Sequence, residues 1–329
     1  RKQQQQQQRQ LQRKNSGRLR GGQAQIWEKI EICQTLNAAT KDDGSGVSSW
    51  GQSREPRFRL RGKRYMTDRA KYVAPNVSLY KCIGADIYRG SRRLLHVARG
   101  LKLPPAPERP KHPLLKDLPP FLILCWMFPD GQATLFGKQS PSTPSGMIIQ
   151  YMQLDEEVAM QYVQSGMVGL LNALAKDPPP GSSMPNMRTD MRDRLKAVPR
   201  LFNPSGVKKM FSLPEWRLIS SYNGKPVLTR PQHKFFRGEN YLEINIDLYE
   251  FAYLARKALE MFRTRVSKVT VDIAFTLEGR NEKELPEILL GSTRLSKVDY
   301  FQAPYFPEHL LDDDADKVRS KAKRGRART

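Results

Sequence analysis

The sequence predicts an α+β domain: a twisted, largely antiparallel sheet covered by two long helices, the arrangement of a helix-grip fold. Three observations carry this expectation. Leu242, Ile244, Ile246 and Leu248 alternate with Glu243, Asn245 and Asp247, the period of two expected of a strand with one covered face. Phe251, Leu254, Ala255, Ala258, Leu259, Phe262 and Val266 then recur at three- and four-residue steps, the apolar stripe of a helix. Val269, Val271, Ile273, Phe275 and Leu277 return to alternation. Such a strand–helix–strand unit must cover one face of its sheet, and helices over 155–176 and 250–266 are expected to do so. A long helix over a curved sheet can enclose an apolar ligand cavity.

The elements follow in chain order. Residues 1–22 are Gln- and Arg-rich and bury no core, so a disordered arm is expected there. Ile26, Trp27, Ile30 and Ile32 suggest a short helix over 25–36, and the Gly/Ser-rich stretch after it reads as a linker to residue 49. The folded domain is expected over 50–303. Arg57, Arg59, Arg61 and Lys63 alternate with Phe58, Leu60 and Gly62, giving a strand with one apolar and one basic face. A second strand spans 79–88, with Gly84 as a bulge. Seven prolines make 101–120 an extended surface connection. Strands at 121–128 and 147–154 follow, the first ended by the Pro129-Asp130-Gly131 turn. Asp155 caps the first long helix, Glu156 and Glu157 favour its dipole, and Pro178 to Pro180 stop it. A short helix is expected over 191–197. From 304 onward an acidic knot (Asp312, Asp313, Asp314, Asp316) precedes a basic run, and this tail is expected to be disordered.

Hydrophobic residues make up 39% of the 329, enough for a sizeable core, yet the formal net charge is +23. The excess is uneven. It falls on the N-terminal arm, on the tail from Lys317, and on thirteen Lys or Arg between Arg57 and Lys102 that face only Asp68 and Asp86. Charge therefore speaks about two tails and one patch. Cys33, Cys82 and Cys125 are scattered, which argues against a disulfide framework and for an intracellular compartment. No apolar run approaches the ~20 residues of a spanning helix, so an intracellular protein peripheral to a membrane or endomembrane is expected, with cytoplasm or nucleus as alternatives. The chain opens on Arg1 rather than Met, so a piece of a longer protein is expected.

Signatures of catalysis are missing: the sequence holds no GxSxG elbow, no GxxxxGK[ST] loop and no HExxH helix. His96, His112, His233 and His309 lack paired spacing, so neither a metal nor another cofactor is expected. Glu243, Asp247 and Asp272 are the carboxylates that a hydrolase or transferase would use; the competing reading is a solvated strand face. The basic strand is the better candidate site. Arg57, Arg59, Arg61 and Lys63 would project roughly 6.6–6.8 Å apart, with Arg64 extending the patch, a spacing suited to several lipid phosphates. Each such cation near an anionic leaflet is worth about 1 kcal/mol. The terminal KVRSKAKRGRART and the Arg20-Gly21-Gly22 arm are the kind of sequence that attracts nucleic acid nonspecifically, but no aromatic residues interleave to stack on bases.

Three strings carry a resemblance. FRLRGKRYMTDRAKYVAPNVSLYKCIGADIYR, RPQHKFFRGENYLEINIDL and ELPEILLGSTRLSKVD, in that order, are similar to the plant "enhanced disease resistance 2" C-terminal domain over roughly 50–300. Asn245 stands where the family usually has Asp. The R-G-x-x-Y element occurs twice, at Arg61–Tyr65 and Arg237–Tyr241, suggesting one local device used twice: a glycine turn locked by an aromatic. Gly62, Tyr65, Gly238, Tyr241, Glu243, Asp247 and Gly291 are family-motif positions with a structural role. Members often carry pleckstrin-homology and START domains upstream and act at membranes in signalling. The resemblance therefore implies a noncatalytic, membrane-associated lipid-binding or signalling module whose basic strand meets anionic lipid headgroups. Its partners would be anionic lipids and other proteins. The alternative is a basic-tailed nucleic-acid-associated protein, followed by an unrecognised hydrolase or transferase.

Overall fold

The apolar run from Phe121 to Phe128 has no wet face because its strand is covered on both sides. The computed structural model describes residues 28–39, 48–53, 58–176, 191–228 and 233–311, and in them two mixed sheets are stacked. The first has five strands in the order β12 (His233–Arg237), β13 (Tyr241–Asp247), β8 (Phe121–Pro129), β9 (Ser145–Leu154), β6 (Tyr80–Gly90). All its pairings are antiparallel except β13 with β8, where Tyr241 faces Phe121 in parallel register. The second has six, in the order β11 (Val227–Leu228), β10 (Leu195–Leu201), β14 (Thr270–Leu277), β15 (Gly291–Ser296), β3 (Ser49–Gly51), β2 (Asn37–Ala38). Only β2 with β3 is parallel. Two small ladders complete the set: β1 (Ile30–Glu31) with β7 (Leu101–Lys102), and β4 (Arg59–Arg61) with β5 (Lys71–Val73).

The main core lies between the sheets. Leu122, Leu124, Met152, Leu242 and Ile244 of one meet Leu195, Ala197, Phe275, Leu277 and Leu295 of the other. At Gly291 the sheets pack closely enough that a Cβ would sit 2.2 Å from the Met152 sulfur, so any larger residue would have to displace that side chain. The far side of the five-stranded sheet buries Ile123, Cys125, Met127, Ile149 and Tyr151 under Val97, Ala98, Leu101 and Phe306. A strand buried on both faces is read from sequence as one continuous apolar run. Phe58, Leu60 and Ala74 of the β4–β5 hairpin likewise cover Val198 and Ala274 on the outer face of the other sheet.

The chain is thus of mixed α+β class, with the helices α1 (Tyr65–Asp68), α2 (Glu156–Gln161), α3 (Gly166–Lys176), α4 (Pro204–Val207), α5 (Leu213–Tyr222) and α6 (Tyr253–Arg263). One sheet beneath two long helices is not what forms. The second sheet supplies most of the cover, and the longest helices among the described residues have 11 residues. The helix expected over 155–176 is two, because the chain turns at Tyr162–Ser165 and the Ser165 hydroxyl accepts from the Met167 N–H to start α3. The second expected helix contracts to α6, flanked by short 3-10 turns.

Other boundaries move as well. The helix expected over 191–197 is a 3-10 turn at Arg192–Arg194 followed by strand β10, whose alternation is masked by Pro199. In 28–36 the backbone N–H groups of Cys33 and Thr35 are taken by the Asp86 carboxylate, so β1 and a bend form where a helix was expected; 25–27 lie outside the described residues. The linker of 37–49 contains β2, paired with β3. The tail expected to be disordered from 304 continues as structure to Leu311: Tyr305 bridges Arg89, and Phe306 and Leu310 are buried. The disorder expected of 1–22 and 312–329 concerns segments outside the described residues. The proline-rich connection is not wholly superficial either, since Leu115 and Leu118 reach the core.

Candidate functional site

Between the two sheets, at the end covered by α5 and α6, lies an apolar cavity of about 340 Å³. The sheets contribute Ile87, Trp126, Phe128, Ile148, Leu201 and Ile273 to its wall, and the two helices contribute Leu218, Ile219, Leu259 and Phe262. The helices are built to stand there. Ser212 caps α5, and the Glu215 carboxylate accepts from the Ser212 N–H at 2.8 Å, a reciprocal capping box. In α6 Ala258, Leu259 and Phe262 line the cavity, while Arg256 is buried and donates to the carbonyls of Thr134 and Gly137, both at 2.9 Å.

The packing of these two helices is unusual for a core-facing pair. No residue of α5 is fully buried, and in α6 only Arg256 is. Their apolar faces border the cavity, so the helices act as its roof. They are joined to each other by Arg265, which pairs with Glu215 at 3.0 Å and donates to the Met210 carbonyl at 2.9 Å, and by the Phe211 ring stacked on Phe262 at 6.3 Å. At the rim, Arg263 pairs with Asp130 at 2.5 Å. The pocket is open to solvent on one side, and its wall is almost wholly apolar.

The basic row is arranged differently from a single strand face. Arg57 lies outside the described residues, and β4 covers only Arg59–Arg61. Arg59 is exposed and donates to the Lys71 carbonyl at 3.1 Å. Arg61 turns inward: it pairs with Glu278 at 3.0 Å and Glu287 at 3.7 Å, and donates to the Gly279 carbonyl at 2.7 Å. Lys63 leaves the strand, and it and Arg64 are exposed on the turn that follows. Gly62 makes that turn, accepting from the Tyr65 N–H at 3.1 Å, and the Tyr65 ring lies beneath the guanidinium of Arg61 at 4.7 Å. In the second R-G-x-x-Y element, Gly238 accommodates the Tyr241 ring where a Cβ would lie 2.2 Å from it.

The carboxylates of β13 are not on a wet face: Glu243, Asn245 and Asp247 are fully buried. Glu243 accepts from the N–H groups of Val97 and Ala98 at 3.0 and 2.9 Å and from the Asn245 amide, and burial pushes its carboxyl up to about 7. Asp247 pairs with Arg93 at 3.2 Å and Lys234 at 3.0 Å. Asp272 takes both Arg294 and Arg200. None of the three lines the cavity. Among the described residues no cluster of three or more His, Cys, Asp or Glu is placed to hold a metal, and no helix is long and apolar enough to cross a membrane. The α5 roof was missed from sequence, although Ser212-Leu213-Pro214-Glu215 carries the capping-box signature.

Residues 50–299 match the family model described as Protein ENHANCED DISEASE RESISTANCE 2, C-terminal. The chain is also similar to the Arabidopsis thaliana protein named "Protein ENHANCED DISEASE RESISTANCE 2-like", 23% identical over 276 residues. That alignment covers 82% of this chain but only 31% of the Arabidopsis protein, so the chain spans about a third of the relative's length. No solved structure matches.

Proposed function

This chain belongs to the Protein ENHANCED DISEASE RESISTANCE 2, C-terminal family, and from that premise we propose that it is a noncatalytic lipid-binding module working at the surface of intracellular membranes. One observation carries the reading: the 340 Å³ apolar pocket, open to solvent on one side and roofed by the apolar faces of two helices. Pockets of this size and lining suit small apolar ligands. At roughly 30 Å³ for each water-sized group, the volume holds on the order of ten such groups, which fits part of one acyl chain or a compact ring system. Arg59 on β4 and Lys63 and Arg64 on the turn after it would meet anionic headgroups, adding a salt-sensitive attraction. The nucleic-acid alternative rests on the two basic tails, which lie outside the described residues.

The test is uptake of a dansylated fatty acid below its micellar concentration, followed by fluorescence and by native mass spectrometry of the purified protein. Ile219→Trp, which fills the roof side of the cavity, should weaken uptake at least about tenfold while the fold is kept. Equal uptake by Ile219→Trp and the parent, in a protein with unchanged circular dichroism, would end the cavity reading.

A further inference from the structure

Twelve large apolar residues are exposed among the described residues, and six of them lie on the two roof helices, on the approach to α5 or on the loop bonded to α6. Met210, Leu213 and Tyr222 lie on α5 or its approach, and Leu254 lies on α6. Leu135 and Phe136 sit on the loop tied to α6 through Arg256 and through the Ala133 N–H donated to Glu260 at 3.0 Å. Single exposed apolar side chains are ordinary, but Met210 and Leu213 flank Phe211, whose ring lines the cavity. The same edge is cationic. From Pro204 to Lys225 the chain carries Lys208, Lys209, Arg217 and Lys225 against one acid, Glu215, which is itself held by Arg265. Lys208, Lys209, Met210 and Leu213 are all exposed, so two cations are followed by two apolar side chains along the leading edge of the roof.

We infer that this edge, and not chiefly the β4–α1 turn, is the face that docks on an anionic bilayer, with Met210 and Leu213 entering the headgroup region and Lys208 and Lys209 meeting phosphates. The inference rests on the lipid-binding reading above, because a ligand drawn from a bilayer must pass the roof, and a roof pressed against the bilayer shortens that path. The bilayer is favoured over a protein partner by the charge of the edge and by its continuity with the cavity walls. The Arg265–Glu215 pair and the Met210 carbonyl bond fasten the docking edge to α6. An anionic headgroup competing for Arg265 would loosen that fastening at the place where the ligand enters.

The experiment compares three variants of the full chain on vesicles of phosphatidylcholine with and without phosphatidylserine. The roof-edge variant is Lys208→Glu, Lys209→Glu and Leu213→Ser; the turn variant is Arg59→Glu, Lys63→Glu and Arg64→Glu; the cavity variant is Ile219→Trp. Sedimentation reads docking, and uptake of monomeric dansylated fatty acid from solution reads the cavity. The roof-edge variant should lose docking by at least about thirtyfold, the loss of two cations near the leaflet, and keep solution uptake. The turn variant should lose less. Retained docking by the roof-edge variant, or its loss only in the turn variant, overturns the inference. Failure of the lipid-binding reading shows separately, as undiminished uptake by the cavity variant.

Discussion

Thr35 gives both of its donors to one oxygen of Asp86: its backbone N–H and its hydroxyl each reach Oδ1 at 2.8 Å. The other oxygen accepts from the Cys33 N–H at 2.7 Å and the Tyr151 hydroxyl at 2.9 Å. A fully buried carboxylate on β6 thus anchors the segment that contributes β1 and β2, although that segment precedes the family match at residue 50. Buried donors left without an acceptor are expensive. Asp86→Ala should therefore cost on the order of 3 kcal/mol and raise amide hydrogen exchange over 30–38 before the rest of the domain. Uniform exchange across the chain in that variant would contradict the anchoring role.

The neighbouring pair Glu243 and His96 should make stability flat where ordinary groups would tilt it. Burial raises the Glu243 carboxyl to about 7 and lowers the His96 imidazole to about 3. Between about pH 4.5 and 6.5, the unfolded chain holds one proton on the pair, on histidine; the folded protein also holds one, on glutamate. The two contributions cancel. Glu243→Gln leaves only the histidine, so stability should rise with pH through that window by at most about 1.4 kcal/mol per unit. His96→Gln leaves only the glutamate, whose stabilisation is complete below pH 4.5 and lost as pH climbs to about 7, so stability should fall. Urea unfolding at successive pH values decides; parallel profiles for the two variants would refute the pairing.

Asp272 is clamped from two strands. Arg294 of β15 donates to its two oxygens at 2.7 and 3.1 Å, and Arg200 of β10 approaches at 3.4 Å. The Arg294 guanidinium also lies 3.9 Å from the Phe202 ring centre. Removing the acid strands a buried charge, so Asp272→Ala should lose about 3–5 kcal/mol. Changing both partners, Asp272→Leu with Arg294→Met, should recover much of that loss in the urea midpoint. A double variant as weak as the single one would show that shape rather than charge governs the site.

Arg61 and its neighbours should part company. Arg61 is held by Glu278, Glu287 and the Gly279 carbonyl, and Glu287 also takes Lys196. Arg61→Glu would place a third acid among these groups and should lower stability by about 3 kcal/mol or more. Lys63→Glu or Arg64→Glu, on an exposed turn, should stay within roughly 0.5 kcal/mol. Thermal melts of the three single variants test this directly.

The strands were the legible part of the sequence. Alternation in 242–248 and 269–277 and the apolar run at 121–128 correspond to β13, β14 and β8, and the bulge at Gly84 falls where β6 shifts register against β9. The fate of the polar face was not legible, because period two is the same whether Glu243 and Asp247 meet water or meet Arg93, Lys234 and backbone N–H groups. Nor could the basic row be sorted: nothing in Arg59, Arg61 and Lys63 as letters says that the middle one finds Glu278, which lies far along the chain. The cavity was foreseen only as an option, since Leu218, Ile219, Leu259 and Phe262 would read alike in a packed core.

The pairing of β3 with β15 also sets a clock. Trp50 faces Leu295, and Phe121 faces Tyr241, so each strand is made long before its neighbour exists. At roughly 5–20 residues per second of synthesis, β3 waits on the order of 10–50 s for the strand that will pair with it. During that interval β8 carries its apolar side chains on a nascent chain with one edge open and the opposing sheet unmade. Long-range pairings of this kind fold late and expose sticky surface meanwhile. The protein's demand on ribosome-associated chaperones should accordingly peak between the emergence of Phe121 and that of Tyr241, a vulnerability in time written by the strand order rather than by any single residue.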